Sequence, residues 1–408
     1  MKFLLLGFGK EGKSTEKYLK THFENPEIDI LENFNPTEIK HNDYSRYDII
    51  FRSPSVPPLN LKNESSITEY FFEHCPCEII GVTATKGKGT TCSFIESILK
   101  AEHENVYLIG NIGTPALDVL DKLKATDVVV YELSSFQLWN LQKSPKIAVL
   151  GTLEPDHLNV HKDYDDYISA KANITKFQTK HDYLIYYKDN PETTKIANTT
   201  IAQKIPYPFE VSDEIKNAIN LPGKHNLNNA LAAISAVSAY KNISPDEYLK
   251  THQAEIINGL KSFKGLPHRL EFVQEINGVK YYDDNFSTNP SSTRVAVNAF
   301  PNNDISIIIG GRDKTNYKDL DEIYEILKSP NIKHIILIGE SGHELAKRYK
   351  DSRFTLSESL EEAIESAKNS AKPGDIILMS PAAASFDMFE NVYDRGKQFK
   401  NLVYSLTQ

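Results

Sequence analysis

Along this chain, short apolar runs rich in β-branched residues alternate with longer stretches of helical period, the pattern of α/β units. In a first block the pattern predicts strands at Phe3–Leu6, Ile28–Leu31 and Asp48–Phe51, with a helix around Ser14–His22. The proline-rich "RSPSVPP" (52–58) reads as a loop. A second block carries strands at Ile79–Thr83, Val106–Ile109, Val128–Tyr131, Ile147–Thr152 and Tyr183–Tyr187. A third begins near "KGLPHRLEF" and carries strands at Gly278–Asp283, Ile305–Ile309, His334–Ile338 and Asp375–Met379. No short-period repeat is present. The expectation is three α/β domains in series, over residues 1–78, 79–264 and 265–408.

Two of these strands run into glycine-rich turns. "LLLGFGKEG" sets Gly7, Gly9 and Gly12 in G-x-G-x-x-G spacing between a strand and a helix. Glycines there allow a tight turn and bring backbone N–H groups to a phosphate at the helix N-terminus. A nicotinamide site needs an acidic residue about 20 positions on, and Glu32 fits that only loosely. The block is also short for a dinucleotide fold, so a nucleotide diphosphate is the better ligand, with a purely structural turn as the alternative. The second turn, "GVTATKGKGTTCSF" (81–94), approaches the phosphate-loop pattern G-x-x-x-x-G-K-[ST]. Gly87 permits close backbone approach, and Lys88 offers a point charge for β- and γ-phosphates. Val82 stands in place of the first glycine and Gly89 in place of the hydroxyl residue, so magnesium service falls to Thr90 or Thr91.

Other candidates follow strand ends or open helices. In "VVVYELSSFQL" (128–138), Glu132 ends an apolar strand, where a carboxylate can hold a metal beside a phosphate loop, and Ser134, Ser135 and Gln137 follow. "LEPDHLNVHKDYDDYISAKANI" (153–174) carries His157 and His161, candidates for a second cation, and Lys171. On helical pattern alone Lys171 lies near the apolar stripe and reads as a snorkelling surface cation. Asn226 and Asn229 stand one turn apart at a helix start, a spacing that serves an adenine edge or a helix cap equally.

Composition narrows the field. With 408 residues, 40% hydrophobic and 25% charged, the chain reads as an ordinary soluble globular protein. The net charge of −9 opposes a general nucleic-acid or anionic-membrane surface. The N-terminal apolar run is too short for a signal peptide, and no segment reaches membrane-spanning length. Cys75, Cys77 and Cys92 form no metal-ligand spacing, so the expected setting is a reducing cytoplasm.

Taken together, these segments resemble the Mur ligase family, the ATP-dependent amino-acid ligases of peptidoglycan precursor synthesis. The resemblance covers nearly the whole chain. Within the family, "ELSSFQL", "LPHRLE" and "SPAAASFDMF" are similar to the D-glutamate-adding branch. The resemblance implies a small Rossmann-like N-terminal domain, a central P-loop ATPase-like domain with a parallel sheet, and a C-terminal Rossmann-like α/β domain. It implies ATP with two magnesium ions as cofactors, and UDP-N-acetylmuramoyl-L-alanine and D-glutamate as substrates of a monomeric cytoplasmic enzyme.

Residue by residue, the resemblance places Gly87, Lys88, Gly89, Thr90 and Thr91 on the ATP phosphates, with Thr90 and Glu132 on the first magnesium and His157 on the second. Lys171 matches the family's carbamylated lysine, whose added carboxylate serves the metal. Asn226 and Asn229 match the adenine side, and Arg269 and Asp284 the ATP contacts of the third domain. Gly7, Phe8, Gly9, Asn111, Ser134 and Gln137 match positions facing the UDP-sugar, and Thr288, Lys314, Ser385 and Phe389 those for D-glutamate. Two positions depart from the family pattern. Ala84 replaces the leading glycine of the phosphate loop, and Phe286 replaces a lysine in the family's "DSKATN". Folylpolyglutamate synthase, an NAD-dependent oxidoreductase and a non-catalytic nucleotide sensor are the rivals. The first does not need the N-terminal glycine block, and the second leaves Lys88, Glu132 and His157 unexplained. The third rests only on Gly89 and Phe286.

Overall fold

The computed structural model describes residues 1–32 and 44–406. Strands β1 (Lys2–Leu6), β2 (Glu27–Leu31), β3 (Ile49–Arg52) and β4 (Glu64–Ser66) form a parallel sheet in the order β2-β1-β3-β4. The second sheet, also parallel, contains β5 (Glu78–Thr83), β6 (Val106–Gly110), β7 (Val128–Glu132), β8 (Ile147–Leu150), β9 (Tyr183–Tyr187) and β10 (Gln203–Tyr207). Its order is β10-β9-β8-β5-β7-β6. The third is built from β11 (Glu271–Ile276), β12 (Val279–Asp283), β13 (Ile305–Gly310), β14 (Ile332–Ile338), β15 (Phe354–Leu356) and β16 (Ile376–Met379). They run in the order β11-β12-β16-β13-β14-β15, with only β11 antiparallel to its neighbour.

The central strands were visible as continuous apolar runs because parallel strands are covered on both faces. Every residue of β7, β8, β13 and β16 is buried. The strands absent from the sequence pattern are β4, β10, β11 and β15, and each is outermost in its sheet. An edge strand is only half covered, so its composition is mixed ("ESS", "QKIPY", "EFVQEI", "FTL"), and Pro206 is tolerated in β10.

By its contacts the chain divides into two compact units: Met1–Ile219 with Leu227–Phe263, and Asn220–Asn226 with Lys264–Gln408. The first two sheets lie in one unit because one core runs through both, from Phe3 and Phe51 by way of Phe71 to Val129 and Tyr131. The divide expected at 78/79 is therefore a boundary between sheets that share a core. In the first sheet the chain leaves β1 for opposite sides, to β2 and then β3; in the second it goes from β5 to β6 and back to β7 on one side, then to β8 on the other. Such switch points open a crevice at the carboxyl ends of the strands. Both glycine turns sit at one. Among the described residues no helix is long and apolar enough to cross a membrane.

Candidate active site

At the end of β1, the helix Lys10–His22 packs so closely on the glycine turn that a Cβ on Gly12 would lie 2.5 Å from the Gly7 carbonyl oxygen. Gly9 has no such neighbour: a Cβ there would meet open space. Packing thus accounts for Gly12, whereas the bare backbone at Gly9 suits an approaching anion. Phe8 is half-buried against the shared core.

The loop after β5 turns through Gly87, whose φ of +85° favours glycine, into the helix Lys88–Ala101. A Cβ at Gly87 would lie 2.5 Å from Asn229 Oδ1, which also accepts the Thr91 hydroxyl at 3.4 Å. Asn229 is thereby set against the phosphate loop. The Asn226 amide donates to the Pro222 carbonyl oxygen at 2.7 Å, within the C-terminal unit.

Two lysines converge on the loop. Lys88 Nζ donates to the carbonyl oxygens of Ala84 (2.9 Å) and Thr85 (3.1 Å). Lys171 Nζ donates to the same Ala84 oxygen (2.9 Å) and to Thr83 Oγ1 (3.2 Å). The helical pattern alone made Lys171 a surface cation. The structure corrects this: the residue is 1% exposed and faces inward from the helix Tyr164–Lys176, 4.8 Å from the Tyr167 ring centroid. Burial first, and then the Lys88 charge, hold its ammonium well below the ordinary lysine range.

Glu132, buried at the end of β7, accepts from the Asn111 amide at 3.2 Å through Oε1, while its buried Oε2 has no hydrogen-bond partner. A buried carboxylate oxygen left unsatisfied is costly unless a ligand completes it. Its hard carboxylate oxygen and the Thr90 hydroxyl are chemistry suited to magnesium. His157 sits at φ +54°, 3.6 Å from Asp156. Burial lowers its pKa most, and Lys88 and Lys171 push the same way against Asp156, which puts it in the field of both lysines. His161 instead is buried and structural, bonded to Asp166 (2.9 Å) and Ser135 (3.0 Å). Ser134 and Gln137, expected to face a sugar nucleotide, form a reciprocal cap on the single turn Ser135–Leu138. Gln137 Oε1 is turned toward Ser134 N (2.9 Å) and away from solvent.

In the C-terminal unit, loops from the carboxyl ends of β12, β13 and β16 meet. Lys314 Nζ donates to Thr288 Oγ1 at 3.3 Å, and the buried Ser385 hydroxyl has no partner. Burial and the nearby Arg395 guanidinium lower the Lys314 pKa, with Asp319 opposing. The fully buried Arg395 ties the loops together, donating to Asn285 Oδ1 and to the carbonyl oxygens of Asn285 (3.1 Å), Ala383 (3.1 Å) and Ala384 (3.2 Å). The hydroxyl of Ser341 and Oδ1 of Asp387, which sequence reasoning missed, are likewise buried without partners. No motif marks them; they follow from tertiary packing.

Three further candidates in this unit have protein partners of their own. Asp284 is enclosed, its oxygens accepting from Leu270 N (3.1 Å) and Ser380 Oγ (2.7 Å), and burial pushes its pKa up to about 7. Phe389 packs against the core around Phe399 and Val403. Arg269 lies over the Phe286 ring, 5.3 Å from its centroid, so the residue that replaces the family lysine serves as a cation platform.

The family comparisons agree with this architecture. Residues 82–217 match the Mur ligase middle domain and residues 268–383 the Mur ligase glutamate ligase domain. The chain belongs to the Mur ligase family. It is 35% identical to a UDP-N-acetylmuramoylalanine--D-glutamate ligase of Clostridium botulinum over 88% of this chain and 83% of the relative. It is 33% identical to the enzyme of the same name from Clostridium tetani, over 92% and 86%. A crystal structure of UDP-N-acetylmuramate-alanine ligase from Thermotoga maritima shares the fold, with a TM-score of 0.61 at 17% identity over 99% of both chains.

Proposed function

We propose that this chain is the ligase that adds D-glutamate to UDP-N-acetylmuramoyl-L-alanine, with cleavage of ATP to ADP and phosphate, in cytoplasmic peptidoglycan precursor synthesis. The observation that carries the reading is the convergence of Lys88 and Lys171 on the Ala84 carbonyl oxygen, beside the unsatisfied carboxylate of Glu132. The Clostridium relatives' name supplies the substrates. We assign the first sheet to the sugar nucleotide, the second to ATP and the third to the amino acid, in one chain acting as a monomer.

The substrate's L-alanyl carboxylate attacks the γ-phosphorus of ATP, giving an acyl phosphate and ADP. Both reactants are anions, so Lys88 and the N–H groups that open its helix must offset charge as it builds on the transferring phosphoryl group. Glu132, Thr90 and His157, with Lys171 once carbamylated, would hold two magnesium ions, which when bound supply further charge neutralisation. The amine of D-glutamate then attacks the activated carbonyl and phosphate leaves. No protein nucleophile is needed, so catalysis rests on positioning and electrostatics.

Lys314 supplies the fixed cation for one glutamate carboxylate, and the hydroxyls of Thr288 and Ser385 receive the other. L-Alanine lacks that second carboxylate, and a diamino acid would set an ammonium beside Lys314. A site built for a polar group rejects the analogue that lacks it by ~10⁴-fold. Phosphate release should therefore need ATP, the sugar nucleotide and D-glutamate together, and Lys314→Ala should raise KM for D-glutamate far more than KM for ATP. If L-glutamate, L-alanine, meso-diaminopimelate or D-alanyl-D-alanine outperforms D-glutamate in that assay, the specificity is wrong.

A further inference from the structure

The chain has three cysteines, and two of them fall in one tripeptide, Cys75-Pro76-Cys77. Their sulfur atoms are 3.6 Å apart, and both residues are half-buried, whereas Cys92 is fully buried in the helix after the phosphate loop. Nothing in the ligase chemistry uses them. The backbone on each side is anchored: Cys75 N–H closes the helix Ile67–His74 by donating to Phe71 O at 2.8 Å, and Glu78, the next residue after Cys77, opens β5 in register with Val128 and pairs with Lys146. The backbone that carries both sulfurs is therefore fixed by the fold on either side of the pair. A disulfide needs a separation of about 2.05 Å, and residues two apart keep their Cα atoms near the span that such a bond accepts.

We propose that Cys75 and Cys77 form a reversible dithiol–disulfide site whose oxidant is a low-molecular-weight disulfide. The two thiols are not equivalent. The contact between the two sulfurs lowers the Cys75 pKa, while that same pairing, burial and the Asp127 charge raise Cys77. In the proposed sequence Cys75 is the attacking sulfur and Cys77 the resolving one, an order the single variants below test. The Cys75 thiolate attacks one sulfur of the small disulfide, forming a mixed disulfide and expelling one thiolate. Cys77 then loses its proton and attacks the Cys75 sulfur, expelling the second thiolate. Two protein thiols are oxidised, one small disulfide is reduced to two thiols, and one S–S bond closes within the chain. Closure across a single intervening proline is tight, and strained disulfides are the readily reduced ones, so the bond should reopen.

The test incubates the native full chain with mixtures of oxidised and reduced glutathione, quenches by alkylation, and reads intact mass and peptide maps. The expected product has lost two hydrogen atoms, keeps no glutathione, carries its bridge in the 75–77 segment, leaves Cys92 unmodified, and returns to the dithiol in excess reduced glutathione. Cys77→Ser should stop at a mixed disulfide on Cys75, and Cys75→Ser should react at least ~10-fold more slowly. Thiols that stay reduced at every ratio, separate glutathione adducts on both cysteines, or a bridge between chains would each overturn the proposal. If a variant fails to fold, the wild-type mass alone decides.

Discussion

Lys171→Ala is expected to lose at least ~10³-fold in turnover, the upper range for removing one preorganised electrostatic group, and to regain part of it in acetate. A buried lysine with no carboxylate partner is costly unless the ammonium gives up its proton. The structure meets that condition by enclosing Lys171 and setting Lys88 beside it, both of which favour the neutral amine. Only the neutral amine adds carbon dioxide, so the depressed pKa is what makes a carbamate accessible. The sign of the pH dependence follows. As pH falls through the lowered pKa the amine is protonated, the carbamate is lost, and activity drops on the acid side; added bicarbonate should restore it. A small carboxylic acid can stand in the cavity left by alanine. Full activity in Lys171→Ala, or no response to either acetate or bicarbonate, would count against the carbamate.

The second large effect is expected at Lys88, where alanine should cost at least ~10²-fold in kcat with a smaller rise in KM for ATP. Its ammonium is already held over the loop by the Ala84 and Thr85 carbonyl oxygens, so little ordering remains to be done when phosphates arrive. Lys88→Arg should restore little, because a planar fork does not replace a compact point charge. The variant also has a distinctive signature. Lys88 helps hold down the Lys171 pKa, so its removal should move the acid limb of the residual pH–rate profile to higher pH. Unchanged turnover would defeat the phosphate-loop assignment, and an unmoved acid limb would separate Lys88 from Lys171.

What could be read from sequence follows the physics of burial. Central strands announce themselves because both faces are apolar, while the four missed strands are edges with one wet face. Glycine turns and Glu132 were legible because their chemistry depends on neighbours in the chain. Lys171 was not: its period places it near a stripe, but its enclosure comes from Thr83, Ala84 and Tyr167, brought together only by the fold. Ser134 and Gln137 show the opposite case. Their spacing satisfies a cap as well as a ligand, and here they form the cap. Asp284 likewise is claimed by inner donors.

Arg395 has a consequence for how this enzyme can change over evolutionary time. One guanidinium satisfies acceptors on both the loop after β12 and the loop after β16, which carry Thr288 and Ser385. Its loss would orphan the Asn285 and Ala383 acceptors together, leaving Ala384 O with only the Arg312 N–H, and a lysine cannot reproduce the fork. Descendants that keep the fold therefore inherit the spacing between those loops unchanged. Drift toward a different amino acid has to proceed through the side chains that line the proposed pocket, one exchange at a time, on a backbone frame that selection for stability has already fixed.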